Sequence, residues 1–182
     1  MSMDSGRSLG GIGALLLVIG TFVPFLSIVG IILLLMGIKN LADYYKDNNI
    51  YQNALYSVIF GIIGIVAVGV ALISVFTAGA FFGTAGFLGF GIALIIGLVI
   101  AFVFYILMAM YFRKAFDALA DKTGQGMFRT AGTLLLIGAI LTIIFVGLIL
   151  IFIAWILVTV AFFSIQTTTT PQTPPPPPPA PP

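Results

Sequence analysis

The sequence predicts an all-α membrane protein, a polytopic bundle of about six transmembrane helices that ends in a disordered Pro-rich tail. Of its 182 residues, 61% are apolar and only 7% are charged, whereas a soluble domain carries roughly a quarter charged residues. The charges are also clustered, and the uncharged runs between the clusters exceed the roughly 20 residues of one helical span. So few charges cannot cover a water-facing surface, which excludes a soluble globular protein.

The charged clusters divide the chain into three uncharged runs. Asp4 and Arg7 precede the first run, a second cluster lies within 39–47 and a third within 113–129. The runs cover 8–38, 48–112 and 130–165. Each is too long for one span of about 20 residues.

The middle run predicts two helices, at about 53–76 and 87–112. The Gly-rich stretch 77–86 separates them and is expected to be an uncharged linker at the membrane interface. Two antiparallel helices here place the two neighbouring charged clusters on the same side of the membrane.

The first run predicts a helical hairpin. As one helix it would be about 46 Å long, against a hydrocarbon core of about 30 Å. Pro24 lacks an amide proton and disfavours helix at the residue before it, so the turn is expected at 21–25. The arms are then about 4–22 and 25–46.

The last run is treated in the same way, as helices at about 127–145 and 147–165. It has no proline, but Gly132-Thr-Leu-Leu-Leu resembles Gly13-Ala-Leu-Leu-Leu in the first run. Two alternatives stay open: one long tilted helix, which gives five spans and an external tail, and single spans at both ends, which give four.

Six spans place every Lys and Arg on one face of the membrane. The positive-inside rule then makes the charged loops and the N-terminus cytoplasmic, in a multi-pass protein of the cell membrane. The remaining segment, 166–182, is rich in Thr and Pro and is expected to be polyproline II or disordered.

The composition removes most enzyme chemistry. The sequence has no Cys, no His and no Glu, so thiolate and imidazole metal sites and nucleophile-His pairs are absent. We therefore expect no catalytic residue, no cofactor, no metal and no enzymatic activity. Hydroxyl side chains within the spans are expected to bond to their own helix backbone rather than to line a polar path.

Small residues at regular spacing are the candidate helix-packing sites, because helices in lipid associate where small side chains let backbones approach closely. The facing helix can belong to the same chain or to a second copy. The candidates are Gly61, Gly64, Ala85, Gly89, Ala93, Gly97 and Ala101, of which the last five recur at a spacing of four.

The basic residues of the two loop clusters are candidates for cytoplasmic interaction. Spacings of three and four between Lys or Arg and Asp predict helices that extend past the membrane. A net charge of +2 is too small to indicate nucleic-acid binding, so the expected partners are membrane lipids, a second copy or another membrane subunit. The candidates are Lys39, Lys46, Arg113, Lys114, Lys122 and Arg129.

Three segments carry a resemblance to a known family. They are Ser8-Leu-Gly-Gly-Ile-Gly-Ala-Leu-Leu-Leu-Val-Ile-Gly20, Lys39-Asn-Leu-Ala-Asp-Tyr-Tyr45 and Phe128-Arg-Thr-Ala-Gly-Thr-Leu-Leu-Leu-Ile-Gly-Ala-Ile-Leu141. The chain resembles, over about 8–164, the uncharacterised integral membrane proteins of archaea and bacteria that are number 996 among the domains of unknown function. The resemblance implies an archaeal cell membrane and contributes no activity, substrate or site residue.

The functional expectation is a non-enzymatic membrane scaffold or accessory subunit that packs through Gly and Ala ridges. The alternative is a small transporter or channel for an uncharged or lipophilic solute, with the Gly-rich linker and the hydroxyl residues along its path. A lipid-modifying enzyme would have to use Asp117 or Asp121 without a histidine.

Overall fold

The computed structural model describes residues 3–166, and this part of the chain is helical apart from short turns. Within it, the side chains of 79, 82, 84–90, 92 and 93 lie outside the description, as does the segment 167–182 that holds most of the predicted tail. Five α-helices follow one another, with a short 3-10 turn (Thr142–Ile144) between the last two. They are α1 (Met3–Gly20), α2 (Pro24–Tyr45), α3 (Asn48–Thr123), α4 (Gly126–Leu141) and α5 (Val146–Phe163).

The first two helices form the predicted hairpin. Pro24 is the first residue of α2, a position where its missing N–H costs nothing. The arms meet through glycines: a Cβ on Gly13 would strike the backbone of Leu34, and one on Gly37 would strike the backbone of Gly10. The two backbones are therefore in direct contact, as small residues permit in lipid.

Helix α3 is the central pair of spans, folded back on itself at one residue. Gly83 has φ 57° and ψ −143°, outside the helical region, and ring contacts pair Phe60 with Phe104 and Tyr56 with Tyr111 across the two arms. The Gly-rich stretch 77–86, which was expected to be a linker between two helices, is itself helical on both sides of Gly83. Backbone groups at membrane depth must bond to one another, and with no proline in this segment a single glycine is enough to reverse the chain.

Helices α4 and α5 form the second outer hairpin. Phe145, at φ 61°, follows the 3-10 turn and begins α5. A Cβ on Gly147 would strike the Gly138 carbonyl, so this pair is also joined by close backbone approach. The structure thus has the expected architecture of two terminal hairpins around a central helix pair.

The core lies at the end of the bundle that carries the charges. Phe112, Phe116, Phe128 and Phe162 are all buried, and their rings contact one another in a chain. Because these residues come from α3, α4 and α5, the aromatic cluster joins the last hairpin to the second arm of α3. Gly10 of α1 lies against the Phe162 ring, which attaches the first hairpin to the same cluster.

The surface of the described chain is strongly apolar. Five helical segments are long and apolar enough to cross a membrane: Pro24–Tyr45, Asn48–Ala78, Leu94–Thr123, Gly126–Ile144 and Val146–Phe163. Helix α1, which contains Asp4 and Arg7, is not among the five. The chain is a multi-pass helical membrane protein.

Candidate functional site

The α3 hairpin is much longer than the two outer hairpins. Tyr105 of α3 lines a small cavity together with Ala139 of α4 and Ile151 of α5, close to the turn between those two helices. Tyr105 is 22 residues from the α3 turn at Gly83, which corresponds to about 33 Å of helix. The turn between α1 and α2 is lower still, because Phe22 contacts Phe152 of α5 (ring centroids 6.2 Å apart). We call residues 62–104, which lie beyond the outer turns, the distal hairpin.

The outer faces of the distal hairpin are apolar and exposed. Ile65 is 74% exposed, Ile73 64% and Ile95 62%. The first arm buries only small residues along this length, including Gly64, Ala71 and Ala78. Among the side chains that the structure describes along this length, the contacts of one arm are with the other arm, as at Gly97 and Ala71. The exposed large side chains on this surface are Ile62, Ile63, Ile65, Val66, Val70, Leu72, Ile73, Phe76, Phe81, Ile95, Ile96, Leu98, Val99, Ile100 and Val103.

Four predicted packing residues lie between the two arms. A Cβ on Gly61 would be 2.8 Å from Met108 Sδ, and one on Gly64 would be 3.5 Å from the Ala101 carbonyl oxygen. A Cβ on Gly97 would be 2.6 Å from the Ala71 Cβ. At these positions the facing helix belongs to the same chain.

The other three members of the predicted ridge are described only by their backbone. Ala85, Gly89 and Ala93 have helical backbone, but their side-chain surroundings lie outside the described part of the chain. The described contact surface between the two arms, the seam, runs from Ser57 to Ala78 on the first arm and from Gly97 to Met108 on the second.

Hydroxyl groups in the helices bond to their own backbone. Ser74 Oγ donates to the Val70 carbonyl (2.8 Å), and Thr77 Oγ1 donates to the Ile73 carbonyl (2.9 Å). The buried Ser57 donates to Ala54 (2.6 Å). Further bonds of this kind are made by Thr133, Thr142 and Thr159. These polar atoms are satisfied inside the helices, as expected from the sequence, and add no polar group to the lipid-facing surface.

The charged end is held together by ion pairs between separate segments. Lys122 Nζ is 3.3 Å from Asp47 Oδ2, which connects the two ends of α3. Arg113 pairs with Asp117 within α3 at 3.7 Å. Arg129 of α4 pairs with both Asp117 and Asp121, across the turn that begins at Gly124 (φ 72°). Three of the six predicted interaction residues are thus engaged within the chain.

The other three basic candidates have no acidic partner among residues 3–166. Lys114 Nζ lies 4.8 Å from the centroid of the Tyr111 ring, and Lys39 Nζ lies 5.8 Å from that of Tyr51. Both are cation–π distances. Lys46 occupies the left-handed position that ends α2 and is exposed. These lysines leave positive charge available at the membrane surface.

A small cavity separates the last hairpin from α3. Its volume is about 30 Å³, and it is lined mainly by apolar side chains, among them Tyr105, Met108, Leu135, Ile151 and Trp155. This volume accommodates about one water molecule and no larger solute.

No group of three or more His, Cys, Asp or Glu side chains that could hold a metal ion occurs in the described part of the chain.

Comparison with known proteins places the chain in a family. The model of a family of proteins of unknown function, DUF996, matches residues 26–156. The chain belongs to this family. A relative within the curated proteins, the uncharacterised protein MJ1644 of Methanocaldococcus jannaschii, is 29% identical over 170 residues, which cover 91% of this chain and 94% of the relative. No solved structure matches.

The sequence analysis did not identify the glycines at which the helices of this chain approach each other most closely. These lie in the outer hairpins, at Gly10, Gly13, Gly20, Gly37 and Gly147, rather than on the central spans. The sequence pattern that could have indicated them is the regular spacing of glycines on both arms of the first hairpin. Gly30 and Gly37 are seven residues apart on α2, and Gly6, Gly10 and Gly13 are three or four apart on α1. Both series place small residues on one helix face, as the central ridge does.

Proposed function

We propose that this chain is a non-enzymatic membrane scaffold or accessory subunit, oriented with its charged end in the cytoplasm. The observation that supports the proposal most is the distal hairpin, a pair of helices that no other described part of the chain covers. Exposed apolar area of this extent on a two-helix element is what a neighbouring membrane protein or a second copy would pack against.

The internal seam limits which surface a partner would use. Gly61, Gly64 and Gly97 already face the opposite arm, so a partner would contact the outer faces that carry Ile65 and Ile73. The charged end offers a second, separate surface through Lys39, Lys46 and Lys114. Positive charge there favours anionic headgroups on the cytoplasmic leaflet, and under the positive-inside rule it supports a cytoplasmic location for that end.

Native mass spectrometry in polymer discs, which keep the surrounding lipid, tests the proposal. We expect a defined homo-oligomer or a stoichiometric second protein. Ile65→Trp and Ile73→Trp should weaken that assembly, whereas Ile28→Trp should not, because Ile28 is 59% exposed but lies on the outer hairpin. A monomer that retains a small molecule and mediates solute flux in proteoliposomes would contradict the scaffold and favour the transport alternative.

A further inference from the structure

We infer that the turns of the two outer hairpins lie inside the bilayer, so that only the α3 hairpin reaches the opposite surface. The inference concerns the depth of each hairpin and does not depend on the proposed function. It rests on three observations: the difference in hairpin length, the surface of the distal hairpin and the chemistry of the outer turns.

The length of α3 fits the whole bilayer. Arg113 is the charged residue nearest to Gly83 along the second arm, and 30 residues separate the two, which corresponds to about 45 Å of helix. A hydrocarbon core is about 30 Å thick, and a bilayer with its headgroup layers is about 40–45 Å thick. With Arg113 at one headgroup layer, the α3 turn therefore reaches the other, where the exposed ring of Phe81 suits an interfacial position.

The same placement sets the outer turns below the opposite surface. The turn between α4 and α5 lies close to the level of Tyr105, which is about 33 Å short of Gly83 along α3. The turn between α1 and α2 lies level with Phe152, six residues into α5. All three hairpins are joined through one aromatic core at the charged end. Their charged ends therefore lie at a similar depth, and the difference in hairpin length appears at their turns.

The alternative placement lets the outer hairpins cross the bilayer fully. The distal hairpin would then stand in water with its fifteen exposed large apolar side chains. The hydroxyls of Ser74 and Thr77 in this segment both donate to the backbone of their own helix, so neither is left to bond to water. This surface has the chemistry of a segment inside the hydrocarbon layer, where acyl chains cover it wherever no partner helix packs on it.

The outer turns have the chemistry of buried turns. Exposed apolar side chains form both of them: Phe22, Val23 and Phe25 in one, and Ile143, Ile144 and Phe145 in the other. Neither carries a charged residue. A turn at a membrane surface does not need this composition, whereas one in hydrocarbon does.

Several of their backbone donors are also engaged. In the first turn the N–H groups of Phe22 and Val23 both donate to Ile19 (2.9 and 3.2 Å), and that of Leu26 donates to Val23 (2.9 Å). Pro24 has no N–H. In the second turn, Phe145 donates to Thr142 and Leu148 donates to Phe145, each at 3.1 Å. Bonded donors are the condition for non-helical backbone at membrane depth.

Single-cysteine labelling tests the inference, and the absence of cysteine from the sequence removes any background. A membrane-impermeant maleimide would be applied to sealed vesicles from either side, and total reactivity would be measured after denaturation. We expect Asn49→Cys to label from one side and Phe81→Cys from the other. Phe22→Cys and Ile143→Cys should label from neither side until the protein is denatured.

Labelling of Phe22→Cys and Ile143→Cys from the same side as Phe81→Cys would overturn the inference, as would labelling of Ile65→Cys from that side. Val23→Cys and Ile144→Cys provide second positions in each turn if a first variant does not fold. Nitroxides on the same cysteines give an independent reading: contact with oxygen should exceed contact with an aqueous nickel chelate at both outer turns, and the reverse ratio there would contradict the assignment.

Discussion

Close backbone approach at single glycines determines how the outer helices meet. At Gly37 a methyl group would strike the backbone of Gly10 and come within 2.9 Å of the Gly6 carbonyl oxygen. At Gly69, in the middle of α3, nothing lies within 4 Å. The two positions differ in packing while both are helical, so they form a matched pair.

Gly37→Ala should destabilise the protein by about 1–3 kcal/mol, the usual cost of overpacking. Gly69→Ala should be neutral or stabilise α3 by up to about 1 kcal/mol, because alanine favours helix. The free energies of unfolding in mixed detergent micelles would provide the comparison. Equal effects at the two positions would show that the α1–α2 contact is not as close as described.

Gly83 allows backbone strain to be tested separately from side-chain packing. Its φ of 57° is unfavourable for other residues, yet a Cβ there would meet nothing within 4 Å. Gly83→Ala should therefore cost about 1–2 kcal/mol through backbone strain alone, with Gly69→Ala again as the control. A Gly83→Ala variant as stable as the control would mean that the chain reverses elsewhere in α3.

At the scale of the element, ion pairs fasten the loops at the charged end. The side chains of Lys122 and Asp47 are 42% and 22% exposed, and exposed pairs contribute about 0.2–1 kcal/mol. A double-mutant cycle with Lys122→Ala and Asp47→Ala should give a coupling energy in that range, and raised salt should reduce it. Lys46→Ala with Asp47→Ala is the control cycle and should give none. A coupling well above 1 kcal/mol would indicate a more buried contact than the structure has.

Much of the element pattern could be predicted from the sequence, and the exceptions have physical causes. Pro24 and the charged clusters indicated the first hairpin, and the break after Thr123 coincides with the Gly-Gln-Gly that follows it. The helix on both sides of Gly83 within 77–86 was not predicted, because the Gly-rich composition indicated an interfacial linker, whereas such residues remain helical where backbone groups have no other partner. The contact between Gly138 and Gly147 joins residues of two helices, and such pairings are not visible in one helix's spacing.

At the scale of the whole molecule, the unequal hairpins decide the position in the membrane. Fully burying a large apolar side chain is worth about 1.5–3 kcal/mol, so placing the distal hairpin in water would cost on the order of 20 kcal/mol. Placing the outer turns in hydrocarbon leaves a few carbonyl groups unpaired, each at about 1–3 kcal/mol. The second cost is much smaller, which is why we favour buried outer turns.

A lysine scan tests this comparison. A lysine at the centre of a membrane helix costs about 2.5–3.5 kcal/mol on insertion scales. Phe22→Lys and Ile65→Lys should both reduce the membrane-inserted fraction markedly, while Asn49→Lys at the charged end should not. If Phe22→Lys inserted as well as Asn49→Lys, the first outer turn would lie at a surface rather than in the bilayer.

The distance between an outer turn and the α3 turn tests most directly whether the outer turns lie inside the bilayer. Spin labels at Ile143→Cys and Phe81→Cys, in an otherwise cysteine-free chain, can be measured by pulsed dipolar spectroscopy in lipid. The account predicts a separation of about 30 Å or more, the length of α3 between Tyr105 and Gly83. A separation near 10–15 Å, the spacing of one or two packed helices, would place both turns at a common surface and contradict it.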